Sequence, residues 1–342
     1  MRIYPFFLAH AGCPHRCAFC RQEASAGQPS APTTHDVVRD LPRMLKWGAG
    51  GEVAFYGGTF TLLPAAEQEA YLGAVTPYLR SGEVRGIRVS TRPDALSDEQ
   101  IALLKHYGVS TVEVGCQSFS ADVLARSVRG HDPDVSLRAV SRLQRYGIRA
   151  GIQLMPGLPG GSRQEALGSL SRALKLNPAF LRIYPAVVLR DTLLARQYQA
   201  GLYSPLTLEE AIDLCAEMLW HCQRLSVPVI RIGLQASDGL DHGDALLAGP
   251  YHPAFGQLVR SRLWLRALQA QARLGVMTMF VHGSDLADAL GNKRRNIDCL
   301  QQKYPHFTVR GRPEMARHTL VSDLGTRSLH ELSAYPIEEF IF

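Results

Sequence analysis

The chain has no apolar run near the roughly 18 residues that a membrane-spanning helix requires. Its first residues, Met1 to Cys13, hold one early arginine and an apolar stretch too short and interrupted for a signal peptide. No low-complexity tract occurs, and no repeat of fixed period stands out beyond an alternation of short elements. Charge is sparse at 20% of residues, with 37 Lys and Arg against 31 Asp and Glu for a net +6. Cysteine is scarce and odd in number, seven in all, which argues against a secreted disulfide scaffold. With 46% hydrophobic residues, the composition excludes a disordered or collagen-like chain. These absences predict a soluble, cytoplasmic protein. The 342 residues suffice for one large α/β domain with an appendage, or for two domains.

What is present is unevenly placed. Three cysteines crowd into the loop Cys13-Pro14-His15-Arg16-Cys17-Ala18-Phe19-Cys20. The other four, Cys116, Cys215, Cys222 and Cys299, are scattered, form no second cluster motif, and read as small buried apolar residues. Between His252 and His318 there are 11 Lys and Arg but 4 Asp and Glu, a net +7 that leaves the rest nearly neutral. Such a block points to a polyanionic partner, with a merely solvated basic face as the plain alternative.

Through residue 235, β-like runs alternate with amphipathic stretches. The strand candidates are Ile3–Ala9, Glu52–Tyr56, Gly86–Ser90, Thr111–Gly115, Ala150–Leu154 and Phe180–Tyr184. Helical patterns cover Thr34–Trp47, Pro64–Leu79, Ser97–His106, Pro133–Tyr146 and Arg163–Leu176, with Thr34, Ser97 and Asp132 as expected N-caps. This order predicts βαβ units and a parallel sheet. Six units are too few for an eight-fold barrel, so the expected fold is α/β, an incomplete (β/α)6 TIM-like barrel. A helix over Thr207–Leu225, a short apolar run at Val227–Ile232 and a turn-rich segment then lead out of the core.

The strand ends carry the unusual residues. Gly57-Gly58-Thr59, Ser90-Thr91-Arg92-Pro93-Asp94, Gly115-Cys116-Gln117-Ser118, the segment from Gln153 to Gly160, and Tyr184-Pro185 each follow a strand, as does the three-cysteine loop. In parallel α/β folds these ends build the active site. Gly and Pro simply making turns would explain one or two such loops, but not polar residues at all of them. Three thiolates in one tight loop suit an inorganic centre, and three ligands to a four-iron cube leave one iron open to a small molecule. A structural zinc site with His10 or His15 as fourth ligand is the alternative, though zinc knots usually draw on two ligand pairs.

Taken with Phe19 before the last cysteine, Cys13-x3-Cys17-x2-Cys20 resembles the cluster loop of radical S-adenosylmethionine (SAM) enzymes. The resemblance implies a 4Fe-4S cluster on Cys13, Cys17 and Cys20 whose open iron chelates SAM. Reductive cleavage there would yield a 5′-deoxyadenosyl radical that abstracts hydrogen from substrate, with a flavodoxin- or ferredoxin-type electron donor. Gly57, Gly58 and Thr59 match the glycine motif that contacts the methionine amino group, with Thr59 where an acidic residue is usual. Ser90 and Thr91 correspond to ribose or carboxylate contacts, and Gln117 and Gln153 to further cofactor contacts. Arg129 is a candidate for the methionine carboxylate through a bidentate pair, or else a surface helix-end charge. Met155 and Gly157 would lie near adenine. Tyr184 would bond substrate or adenosine, or simply fill the barrel core.

Within the superfamily the motifs are most similar to the radical half of the elongator catalytic subunit and its bacterial relatives. They are Phe55-Tyr56-Gly57-Gly58-Thr59-Phe60, Ser90 to Asp94, Arg129-Gly130-His131, Met155 to Gly160 and Leu181 to Pro185. The likeness runs from about residue 3 to 235, so 1–235 reads as the radical core and 236–342 as a C-terminal extension. No acetyl-CoA loop is recognisable in that extension, and acetyl transfer is not carried over. Instead, a helix, the loop Gly291-Asn292-Lys293-Arg294, a helix over Arg295–Tyr304 and a strand over His306–Arg310 resemble a K-homology module. Arg294 replaces that module's second glycine. Lys293, Arg294, Arg295, Arg310 and Arg312 are the candidate RNA contacts of a small basic α+β domain, or a solvated cap. The implied function is radical SAM chemistry on RNA, a transfer-RNA base above all. The alternatives are a small-molecule substrate of tetrapyrrole type, or a non-catalytic iron–sulfur or zinc RNA-binding protein.

Overall fold

A computed structural model describes residues 2–22, 31–242 and 245–335. Its first units are β1 (Ile3–Phe7), α1 (Thr34–Leu45), β2 (Gly51–Tyr56), α2 (Ala65–Arg80), β3 (Val84–Thr91) and α3 (Asp98–His106). Next come β4 (Val109–Gln117), α4 (Ala121–Arg126), α5 (Pro133–Arg145), β5 (Arg149–Leu154), α6 (Arg163–Lys175) and β6 (Phe180–Ile183). A short strand β7 (Val188–Leu189), α7 (Leu193–Gln199), the long α8 (Leu208–Arg224) and β8 (Val229–Ile232) complete the core. The main sheet has the order β1-β2-β3-β4-β5-β6-β8, and every pairing in it is parallel. It therefore has seven strands rather than the six expected. The seventh, β8, is half-buried and carries Arg231 mid-strand, so its apolar pattern is weak in sequence.

The sheet is curled. Arg182 on β6 donates to the Tyr56 hydroxyl at the end of β2 at 2.9 Å, four strands away. On a flat sheet those strands would lie about 19 Å apart. The result is an incomplete TIM-like barrel with β1 and β8 as its edges. Its outer helices follow the expected capping logic with one shift. Ser97 and Asp132 accept from the N–H groups of Gln100 and Val135, but α1 is capped by Thr33, not Thr34. Thr33 and Asp36 form the reciprocal capping box, which requires the cap three residues before its acidic partner.

Beyond the barrel lie α9 (Asp238–Asp241), β9 (Leu246–Ala248), α10 (Phe255–Arg273), β10 (Thr278–His282), α11 (Leu286–Leu290) and α12 (Arg295–Gln301). They are followed by β11 (Thr308–Arg312), β12 (Thr319–Ser322), β13 (Gly325–Ser328) and α13 (Leu329–Leu332). β9 pairs antiparallel with β7. The C-terminal sheet has the order β11-β10-β12-β13, with β10 and β11 parallel. The helix–loop–helix–strand order anticipated there is present, and the short, largely exposed β12–β13 hairpin adds to it. α10 packs along α8, and one hydrophobic cluster runs from Tyr4 through Trp264 to Leu329. Cys116, Cys215 and Cys222 are buried in it, whereas Cys299 is exposed, because α12 turns Ile297 and Leu300 inward instead.

Candidate active site

The three-cysteine loop leaves β1 and is fastened to the glycine loop that leaves β2. Thr59 N–H donates to the Ala11 carbonyl at 2.8 Å, and Leu8 N–H to that of Tyr56 at 2.7 Å. At Gly58, with φ +58°, a Cβ would come within 2.2 Å of the Ala11 carbonyl oxygen, and at Gly12 within 2.3 Å of that of Thr59. Only glycine permits this interlock, since both the space and the left-handed backbone exclude a side chain. Gln22 Oε1 then accepts from the N–H groups of His10 and Gly58, both at 2.7 Å. One amide thus clamps the two loops together. Thr59 is fully buried, and its hydroxyl lies 3.3 Å from Cys13 Sγ.

Two guanidinium groups approach the middle cysteine. Arg129 Nη1 donates to Cys17 Sγ at 3.1 Å, and its Nη2 to the Gly115 carbonyl at 2.6 Å. It is 4% exposed, so it is no surface charge, and its buried Nε has no partner among the described residues. Arg92 lies 3.8 Å from Cys17 Sγ, binds both carboxylate oxygens of Asp94 and donates to the Arg129 carbonyl. Asp94 is held below the usual carboxylate range: burial opposes this, but the Arg92 bonds outweigh it. Burial pushes the Cys20 thiol up to about 12, with Cys17 and Cys13 adding repulsion, and raises Cys13 as well. Three thiols in one partly buried loop suit a shared positive centre, and two guanidinium donors beside Cys17 suit the extra negative charge of a sulfide-bearing cluster.

The residues therefore fit a thiolate-bound cluster. Both histidines of the zinc alternative are engaged elsewhere through Nε2. His10 Nε2 accepts from Gln22 N–H at 3.0 Å, and His15 Nε2 lies 2.9 Å from the Val128 carbonyl. Among the described residues no three His, Cys, Asp or Glu side chains, the three cysteines included, already converge on a single ion, so a cluster would have to draw the three sulfurs together.

A cavity of about 360 Å³ opens at the C-terminal strand ends. It is lined by Cys13, Cys17, Phe19 and Cys20 from the first loop and by Gly57 and Gly58 from the second. Ser90, Thr91, Gln117, Arg129, Gln153, Met155 and Tyr184 line it from the later units. Gln153 donates to Gln117 Oε1 at 3.1 Å, fixing the two amides side by side. The Thr91 hydroxyl is shared with Thr61 at 2.6 Å. Two predicted residues lie outside the lining. Thr59 faces Cys13 as described, and Gly157 borders a separate hollow, its carbonyl taking the Tyr203 hydroxyl at 2.6 Å.

Sequence reasoning missed Gln22, Arg92 and a charged network in the barrel interior. Arg88 Nε binds Glu52 at 2.8 Å and its Nη1 binds Glu113 at 2.7 Å, all three buried. Arg182 continues the chain to Glu113 at 2.7 Å and donates to the hydroxyls of Tyr184 and Tyr56, both at 2.9 Å. Burial raises Tyr56 to about 12 and raises Tyr184 too, so both phenols stay protonated. Charged residues in the middle of buried parallel strands were the available signal.

The candidate RNA contacts divide. Lys293 and Arg294 are exposed, with φ of +51° and +64°. Arg294 thus holds, with a side chain, the left-handed backbone that a glycine would favour. Arg310 and Arg312 are exposed on β11, Arg312 3.7 Å over the Phe280 ring. Arg295 instead pairs with Glu209 of α8 at 2.8 Å.

Residues 9–173 match the Radical SAM superfamily, and residues 178–264 match the Radical_SAM C-terminal domain. The chain is 30% identical over 190 residues to the heme chaperone HemW of Escherichia coli, covering 53% of this chain and 50% of that protein. It is 26% identical over 260 residues to the tRNA uridine(34) acetyltransferase of Dehalococcoides mccartyi, covering 64% of this chain and 55% of that one. In fold it is similar to archaeal Elp3 of Methanocaldococcus infernus, with a TM-score of 0.57 at 20% identity over 75% of this chain and 61% of the other. It spans about half the length of the two relatives matched in sequence. No helix among the described residues is long and apolar enough to cross a membrane.

Proposed function

The chain belongs to the radical SAM superfamily, and from that premise we propose that this enzyme acts on a transfer-RNA base. Cys13, Cys17 and Cys20 would hold a 4Fe-4S cluster. When bound together, that cluster and SAM supply reductive cleavage to a 5′-deoxyadenosyl radical, which abstracts hydrogen from substrate. The chain's own residues position and shield. The interlocked loops and the Gln22 clamp hold the cysteines against the glycine motif, so the cofactor's methionine end would meet a preset backbone. Arg129 offers the buried cation suited to a carboxylate, while Phe19 and Met155 supply apolar contact and keep water out.

The interlock of the cysteine and glycine loops at the mouth of the barrel cavity carries the radical reading. The likeness to a tRNA uridine acetyltransferase supports the substrate. Residues 1–235 would be the radical core, fed by a flavodoxin- or ferredoxin-type donor, and 236–342 would grip RNA through Lys293, Arg294, Arg310 and Arg312. Anaerobically reconstituted protein should be brown and form 5′-deoxyadenosine with dithionite, and Cys17→Ala should lose both properties. Persistence of either in that variant sinks the cluster assignment. Comparing transfer-RNA nucleosides from cells with and without the gene tests the substrate. The likeness to a heme chaperone favours a second reading, a tetrapyrrole-type small molecule. Unchanged nucleosides together with tetrapyrrole binding would select it.

A further inference from the structure

Beside the paired carboxylate of Glu113, the cavity presents a group of hydrogen-bond donors. Tyr56, Tyr184 and Arg231 all line it, from the ends of β2, β6 and β8. Each phenol oxygen already accepts an Arg182 N–H, so its own proton is turned elsewhere, and neither hydroxyl donates to another protein group among the described residues. Arg182 is neutralised by Glu113, whose two oxygens are occupied by Arg88 and Arg182. Arg231 sits in register beside Arg182 on the neighbouring strand, yet it meets no carboxylate among the described residues. It donates only to the carbonyls of Gly233 and Leu234, at 3.2 Å each. A half-buried guanidinium held by neutral oxygens keeps its full charge.

We infer that Tyr56, Tyr184 and Arg231 form a seat for an oxyanion of the substrate. The oxyanion is either a phosphate of a polynucleotide or the phosphate or carboxylate of a small molecule. The inference rests on the cavity being the reaction site. Two O–H donors and one cation without a carboxylate partner among the described residues match an oxyanion's acceptors, and the carboxylate lining the cavity beside them, Glu113, is already paired with Arg88 and Arg182. Arg129, beside Cys17, remains the separate candidate for the cofactor's own carboxylate.

The test uses the full reconstituted chain, inorganic phosphate with a chloride control at equal ionic strength, and bulk transfer RNA. Phosphate should raise the unfolding temperature of the native chain. Arg231→Gln and, independently, Tyr56→Phe/Tyr184→Phe should each weaken phosphate binding about tenfold, the scale of one charge-assisted bond, with circular dichroism first verifying that both are folded. A parallel tenfold loss of transfer-RNA binding assigns the oxyanion to a polynucleotide. Unchanged transfer-RNA binding with lost phosphate protection assigns it to a small molecule. Equal phosphate protection of the native chain and either variant overturns the proposal, as does no protection of the native chain. A native enzyme that makes no 5′-deoxyadenosine would instead strike at the radical reading and leave these binding results standing.

Discussion

The barrel interior and the C-terminal region use arginine in opposite ways. In the barrel, Arg88 is locked between Glu52 and Glu113, Arg182 pairs with Glu113, and Arg129 and Arg231 face the cavity. In the C-terminal region, where the sequence concentrates its positive charge, much of that charge is tied down. Arg262 binds Glu209 and Asp213, Arg295 binds Glu209, Arg260 binds Asp288 and Arg317 binds Asp285. Arg266 reaches the carbonyls of Ser333 and Ala334. Net charge in a window thus says little about charge available to a ligand. A near-neutral core can hold the barer cations, and a basic appendage can spend its cations on docking.

Several replacements break or sharpen this contrast. Arg88→Met should cost the most, about 3–5 kcal/mol, because it takes the main cation from buried Glu52 and leaves Glu113 with Arg182 alone. A urea midpoint little changed from the native value would mean that the network is solvated. The seam between the regions should show a pH signature. His221 on α8 is held down at about 4, chiefly by burial and then by Arg224, against an ordinary value of 6.5. Below pH 6.5 the unfolded chain takes up a proton that the folded chain refuses. Stability should therefore fall as pH drops from 6.5 to about 4, then level off, and His221→Phe should flatten that slope in denaturation curves.

Arg295→Ala should cost less than about 1 kcal/mol, since its pair with Glu209 is exposed. A double-mutant cycle on Arg295 and Glu209 should report that small coupling, and one on Arg88 and Glu113 several times more. The smallest stability effect, within about 0.5 kcal/mol, belongs to Lys293→Ala/Arg294→Ala. On the proposed function this pair should lower the slope of transfer-RNA affinity against salt by about 1.5, the share of two phosphate contacts. An unchanged slope would reduce the loop to a solvated cap.

Much of this was legible along the chain. The alternation of apolar runs and amphipathic stretches set the βα units, and the Cys13, Cys17 and Cys20 spacing singled out the loop that lines the cavity. Gly58 and Gly12 were visible as glycines, but not as the points where two loops cross. The half-exposed β8 was legible only as the apolar run Val227–Ile232 and not as a seventh strand, because a strand shared between a sheet edge and a cavity has no clean period. Cys299 and Gly157 were misjudged in placement for a related reason. Spacing tells which residues are neighbours along an element, not which face that element turns inward.

The sequence by itself determined the local chemistry: which residues can ligate, cap, turn or alternate, since those depend on near neighbours and backbone period. Only the tertiary structure decided which charges are neutralised. Arg182 finds Glu113, Arg262 finds Asp213 and Arg231 finds no carboxylate among the described residues. Coulomb partners are chosen by distance through space, and curling the sheet brings β2 and β6, four strands apart, to hydrogen-bond contact.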